Sequence, residues 1–168
     1  MLSMMGKYVR VVDAINYRMG RLIMYFIFVM MGILLWSSIS KTFFLPSLWT
    51  LEMAQFAMVA YYILGGPYSL QMGSNVRMDL FYGAWSDKKK AQIDAITVFF
   101  LIFYLGVMLY GAYDSTSYSF QYGERSPTAW RPYLWPIKVV MCFGIFMMLL
   151  QSISELFKDI ATLKGVKL

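Results

Sequence analysis

Residues 22–40 read LIMYFIFVMMGILLWSSIS, a run without a single charge. A helix rises about 1.5 Å per residue and the hydrocarbon core of a bilayer is about 30 Å thick, so about 20 mostly apolar residues are enough to cross it. Arg18 and Arg21 bound this run on one side and Lys41 on the other. Working outward, the same test finds three more stretches: 48–72, with Glu52 near its start; 95–113; and 137–154, with Lys138 at its beginning. No connection between them is long enough for a separate soluble domain. The expected fold is an all-α integral membrane protein, one domain over 1–168, with four transmembrane helices.

The first run differs from a secretory signal core, which is about 7–15 residues long and close to the N-terminus, because more than twenty residues precede it. Composition agrees with a membrane solvent. The chain has 168 residues, 60% of them apolar and 14% charged, against about 45–50% and about 25% in soluble domains. A net charge of +6 raises nucleic acid as a partner, but the cations border apolar runs instead of forming a basic patch with interleaved aromatics, so none is expected. Bordering cations suit membrane orientation and anionic lipid headgroups.

Histidine is absent and Cys142 is the only cysteine. No disulfide can form within the chain, and no His or Cys cluster can hold zinc, haem or an iron–sulfur centre, so no cofactor is expected. Cys142 lies in an apolar run and reads as a small buried hydrophobe. Phosphate-cradling glycine loops, paired intramembrane carboxylates and Ser/His/Asp or Cys/His sets are missing, which argues against an enzyme.

Orientation follows from Lys and Arg. Lys7, Arg10, Arg18 and Arg21 precede the first span; Arg77, Lys88, Lys89 and Lys90 fill the second connection; Lys158, Lys164 and Lys167 end the chain. Only Lys41, Arg125, Arg131 and Lys138 fall on the other side, so eleven against four places both termini in the cytoplasm. Within residues 1–20, Leu2, Met5, Val9, Val12 and Met19 recur at helical spacing, with Lys7, Arg10 and Arg18 off that stripe. This predicts a short amphipathic helix lying in the cytoplasmic interface.

Gly65-Gly66-Pro67 predicts a kink in the second span that neighbouring helices accommodate. The third connection, Asp114 to Pro136, carries Pro127, Pro132 and Pro136 together with Trp130, Tyr133 and Trp135. It is not expected to form one continuous helix, and reads as an anchor at headgroup level or a rigid platform for an outside partner. Few ionisable groups lie in the spans, and almost no buried polar cluster is expected among them. Glu52 reads as an interfacial acid beside a helix N-terminus, with proton coupling as the sharper alternative.

Several landmarks then coincide in order: Trp49-Thr50-Leu51-Glu52, Gly65-Gly66, Asn75-Val76-Arg77-Met78-Asp79, Glu124-Arg125-Ser126-Pro127, Trp135-Pro136 and Gly144. Over about residues 20–155 the chain resembles the small membrane subunit (DctQ-type, Q subunit) of tripartite ATP-independent periplasmic (TRAP) transporters. It departs from many relatives at Asn75, where a titratable His is replaced by an uncharged polar side chain. The resemblance implies a bacterial inner-membrane complex in which a periplasmic substrate-binding protein delivers an organic acid, carboxylate or sulfonate, to a large membrane subunit coupled to sodium. It implies a non-catalytic scaffold that braces the large subunit. Lys41, Glu124, Arg125, Trp130 and Arg131 would help dock the binding protein, and Trp49, Glu52, Asn75, Arg77 and Asp79 would serve structure or subunit contact. Two other classes compete: a small proton-coupled four-helix exporter acting as an oligomer through Glu52, and a haem-free membrane anchor of a redox complex.

Overall fold

A computed structural model describes residues 2–45, 47–73 and 87–163. Asn75, Arg77 and Asp79 lie outside the described residues. Five helices account for almost all of the rest: α1 (Leu2–Met24), α2 (Phe26–Phe43), α3 (Thr50–Gln71), α4 (Asp87–Tyr122) and α5 (Trp135–Leu163). Three segments are long and apolar enough to cross a bilayer: Met4–Phe43, Gln92–Tyr122 and Trp135–Leu163. The expectation of four such spans is met only in part. At 22 residues α3 has the length, but Glu52, Gln55, Gly65, Gly66, Pro67 and three tyrosines make it less apolar than the others.

Neighbouring helices follow the order α2, α3, α5, α4, with α1 packed against α3 and α5. Side-chain pairs rise together along α3 and α5, from Ile63 against Gly144 to Gly66 against Met148. These two helices therefore run in the same direction. Gly144 is what lets them approach, because a Cβ there would overlap Ile63 Cγ2 and lie 3.1 Å from the Ile63 carbonyl oxygen. That carbonyl is the one to which Pro67, lacking an N–H, cannot donate. The proline is fully buried inside a helix that continues to Gln71, so neighbours do accommodate it.

α1 and α2 meet at Tyr25, within the single apolar segment Met4–Phe43. There the backbone bonds shorten to three-residue steps, Tyr25 N–H to the Leu22 carbonyl and Phe28 N–H to the Tyr25 carbonyl, which marks a local break. Before it, between Tyr8 and Asn16, α1 crosses α5 instead of running beside it. From Tyr8 to Asn16 the chain advances about 12 Å, yet the partners stay within Leu150–Phe157: Tyr8 meets Leu150 and Phe157, and Asn16 meets Gln151. The predicted stripe faces protein, with Val9 and Val12 buried and Met5 and Met19 half-buried.

The third connection is shorter than expected. Asp114–Tyr122 continues α4 because it holds neither Pro nor Gly, and Thr116 donates back to the Ala112 carbonyl at 2.6 Å. Gly123, at φ +60°, ends the helix in a left-handed conformation that costs glycine little. At 36 residues α4 is about 54 Å long and outruns the hydrocarbon core.

Candidate functional site

Because α3 and α5 are parallel and each follows α2 or α4 directly in the chain, one end of the bundle gathers Lys41, Trp49, Glu52 and the loop 123–134. Lys41 is exposed on the last turn of α2. Trp49 opens α3, partly exposed, and Thr50 is fully buried, donating to Ser37 Oγ at 3.1 Å. Glu52 is buried rather than solvated at the interface, and its Oε2 has no hydrogen-bond partner among the described residues.

The loop is a small clasp. Its backbone pairs Ser126 N–H with the Pro132 carbonyl at 2.9 Å and Leu134 N–H with the Glu124 carbonyl at 3.0 Å. Lys138 Nζ reaches back from the first turn of α5 to Glu124 Oε2 at 2.7 Å and to Ser119 Oγ at 2.6 Å, while Ser119 itself donates to the same carboxylate oxygen. Glu124 thus spends one oxygen tying the ends of α4 and α5 together. Arg125 donates to the Tyr133 hydroxyl and lies 4.2 Å from the centre of that ring, a cation–π pair. Trp130 and Arg131 project from the tip, both exposed, and Arg131 holds φ +49°. Arg125, Trp130 and Arg131 are thus exposed on a loop that Glu124 fastens to α5 through Lys138.

The bonds from Lys138, then Ser119, hold the Glu124 carboxyl below its ordinary value of 4.5. A depressed carboxylate stabilises the fold above that value and loses its contribution as pH falls through the folded one. Tryptophan fluorescence of the purified protein is therefore expected to stay constant from pH 8 to 5 and change only below 4.5. In Glu124→Gln that low-pH step should vanish; its persistence would assign the step to another carboxyl.

A second polar centre, not anticipated, sits at the opposite end where α1 crosses α3 and α5. Asn16 Nδ2 donates to Gln151 Oε1 at 2.6 Å, and Gln151 Nε2 donates to Asp13 Oδ1 at 3.0 Å and Glu155 Oε1 at 2.9 Å. Ser154 Oγ donates to Asp13 Oδ1 at 3.0 Å, and Lys158 Nζ bridges Asp13 Oδ2 and Glu155 Oε1, each at 2.8 Å. Gln71 adds a bond from Nε2 to the Asp13 backbone carbonyl at 3.2 Å. The expected near-absence of buried polar clusters is therefore wrong. The available signal was Asn16, which continues the stripe Val9, Val12 at the same helical spacing and so had to be buried with a partner.

Among the described residues no three His, Cys, Asp or Glu side chains gather as a metal-holding group. The family model described as "Tripartite ATP-independent periplasmic transporters, DctQ component" matches residues 30–162. No curated protein and no solved structure matches the chain.

Proposed function

From the premise that the chain belongs to the DctQ component family of tripartite ATP-independent periplasmic transporters, we propose that it is the non-catalytic scaffold of a sodium-coupled importer of an organic acid. The observation that carries this reading is the family match over most of the chain. In this reading α2, α3, α4 and α5 all cross a bacterial inner membrane, with both termini in the cytoplasm, and α3 tolerates its polar content because α1, α2 and α5 surround it.

The scaffold role accords with how the side chains are used. Polar groups in the bundle are spent on fastening helices together, while Phe28, Leu35 and Trp36 of α2 and Phe99, Phe100 and Phe103 of α4 stay exposed. Such faces suit lipid or the large membrane subunit, which would be held still against the bilayer while its transport part moves. Trp49 offers an edge for subunit contact, and Glu52 lies buried beside it in the first turn of α3.

At the outer end, Lys41, Arg125, Trp130 and Arg131 form the docking surface for the substrate-binding protein, with Glu124 holding the clasp that presents them. Exposed Arg and Trp are typical interface anchors. Arg125→Ala with Trp130→Ala is expected to reduce uptake at least ten-fold, since each truncation of an anchor costs about 1–2 kcal/mol, while co-purification with the large subunit in mild detergent is unchanged. Full uptake at normal expression would remove the loop from the docking surface, and a chain that purifies only as a homo-oligomer would defeat the scaffold reading itself.

A further inference from the structure

The structure divides α1 into three stripes. Val9, Val12, Asn16, Gly20 and Ile23 are buried against α3 and α5. Lys7, Arg10, Arg18 and Arg21 follow a second line and are exposed. Between them on the far side runs a third line, at 3.6 residues per turn: Met4, Val11, Ile15 and Leu22, respectively 77%, 59%, 45% and 72% exposed. The predicted interfacial stripe is thus occupied by protein, and a different apolar stripe is left facing outward.

We propose that this outer face of α1 is a binding surface for anionic phospholipid, with the Met4, Val11, Ile15 and Leu22 line set into the acyl boundary and the four cations against lipid phosphates. Three observations converge. First, between Tyr8 and Asn16 α1 is inclined to α5 instead of running beside it, and an interfacial helix is inclined in this way to the helices that cross the bilayer. Second, no carboxylate among the described residues pairs with the four cations: Arg10 donates only to the Gly6 carbonyl and Arg21 lies over the Tyr17 ring. Unneutralised cations beside exposed apolar side chains match a surface of phosphates over hydrocarbon, and charge complementarity selects anionic over zwitterionic headgroups.

Third, the buried junction of Asp13, Asn16, Gln151 and Ser154 fixes the roll of α1 about its axis. A free amphipathic helix would turn its most apolar face, Val9 and Val12, to the lipid. Here those groups are committed, so the outer stripe and its cations meet the membrane in one register. The inference needs the membrane setting but not the transporter role.

The full chain, purified in mild detergent with equal phosphatidylglycerol and phosphatidylcholine, is examined by native mass spectrometry. Phosphatidylglycerol should be retained preferentially, and Arg18→Gln should reduce that preference about five-fold, the effect of one cation near an anionic surface. Replacing Lys7, Arg10, Arg18 and Arg21 together by Gln should abolish it, and high salt should weaken it. Equal retention of both lipids, or a preference untouched by the fourfold variant, overturns the proposal. A spin label at Ile15→Cys in native membrane vesicles supplies the second readout. It should be accessible to oxygen partitioned in lipid, unlike a label at Val12→Cys; shielding equal to that of Val12 would mean that another protein covers the face and would also overturn it.

Discussion

Gly144→Val is expected to lower the thermal midpoint of the detergent-solubilised protein by roughly 10 °C, from an overpacking cost of about 3 kcal/mol. A new Cβ at this position has no room: it overlaps Ile63 Cγ2, a branched side chain with few rotamers, and approaches the Ile63 carbonyl oxygen, which is backbone and cannot swing aside. The helix pair must separate, and separation spreads to the buried Pro67 and to Gly66, whose face meets the flexible end of Met148. Fluorescence-monitored size exclusion after heating reads the loss. Ile63→Ala should recover part of it, because removing Cγ2 clears the first overlap and leaves only the carbonyl, so the double-mutant cycle isolates this contact. Gly106→Ala is the control: nothing lies within 4 Å of its Cβ, and alanine's helix preference over glycine makes its effect neutral or slightly stabilising. Equal loss in the two variants would mean that helix–helix approach at Gly144 is not what limits stability.

The contrast between these glycines bears on what the sequence could reveal. Apolar length, bounded by charge, located the helices, because crossing hydrocarbon demands about 20 apolar residues whatever the neighbours are. It could not say that Gly144 is a point of contact and Gly106 is not, since both are single glycines in apolar helices. The same limit applies to α1. Val9 and Val12 marked a buried face correctly, but an apolar stripe carries the same signal whether it meets lipid or protein, and only Asn16 within it pointed to protein. The clasp was misjudged at its start for a local reason: Asp114–Tyr122 lacks helix breakers, and the prolines that stop helix begin only at Pro127. Charge pairing was the least legible, because Glu124 and Lys138 are 14 residues apart and Asp13 and Lys158 lie at opposite ends of the chain.

Asp13→Ala is expected to release α1 from the bundle, raising amide hydrogen exchange across residues 2–24 about 30-fold, which corresponds to about 2 kcal/mol. One carboxylate serves three donors on α5, namely Gln151 Nε2, Ser154 Oγ and Lys158 Nζ, and its backbone carbonyl serves Gln71 of α3. The loss is not uniform. Lys158 and Gln151 keep Glu155 as a partner, and both members of the Lys158–Asp13 pair retain some solvent contact, which holds the cost below the about 3–5 kcal/mol of breaking a fully buried pair. Ser154 is fully buried and loses the one side-chain acceptor it has among the described residues, so most of the effect arises there. Two comparisons test that division. Asp13→Asn retains an acceptor oxygen for Gln151 and Ser154 and should raise exchange less than Asp13→Ala. In Asp13→Ala with Ser154→Ala, the hydroxyl that had been stranded is gone, and the exchange should fall back toward that of Ser154→Ala alone. Unchanged exchange in α1 for Asp13→Ala would mean instead that Val9, Val12 and Ile23 hold the helix by apolar burial alone, and that the polar junction sets its roll without contributing to its attachment.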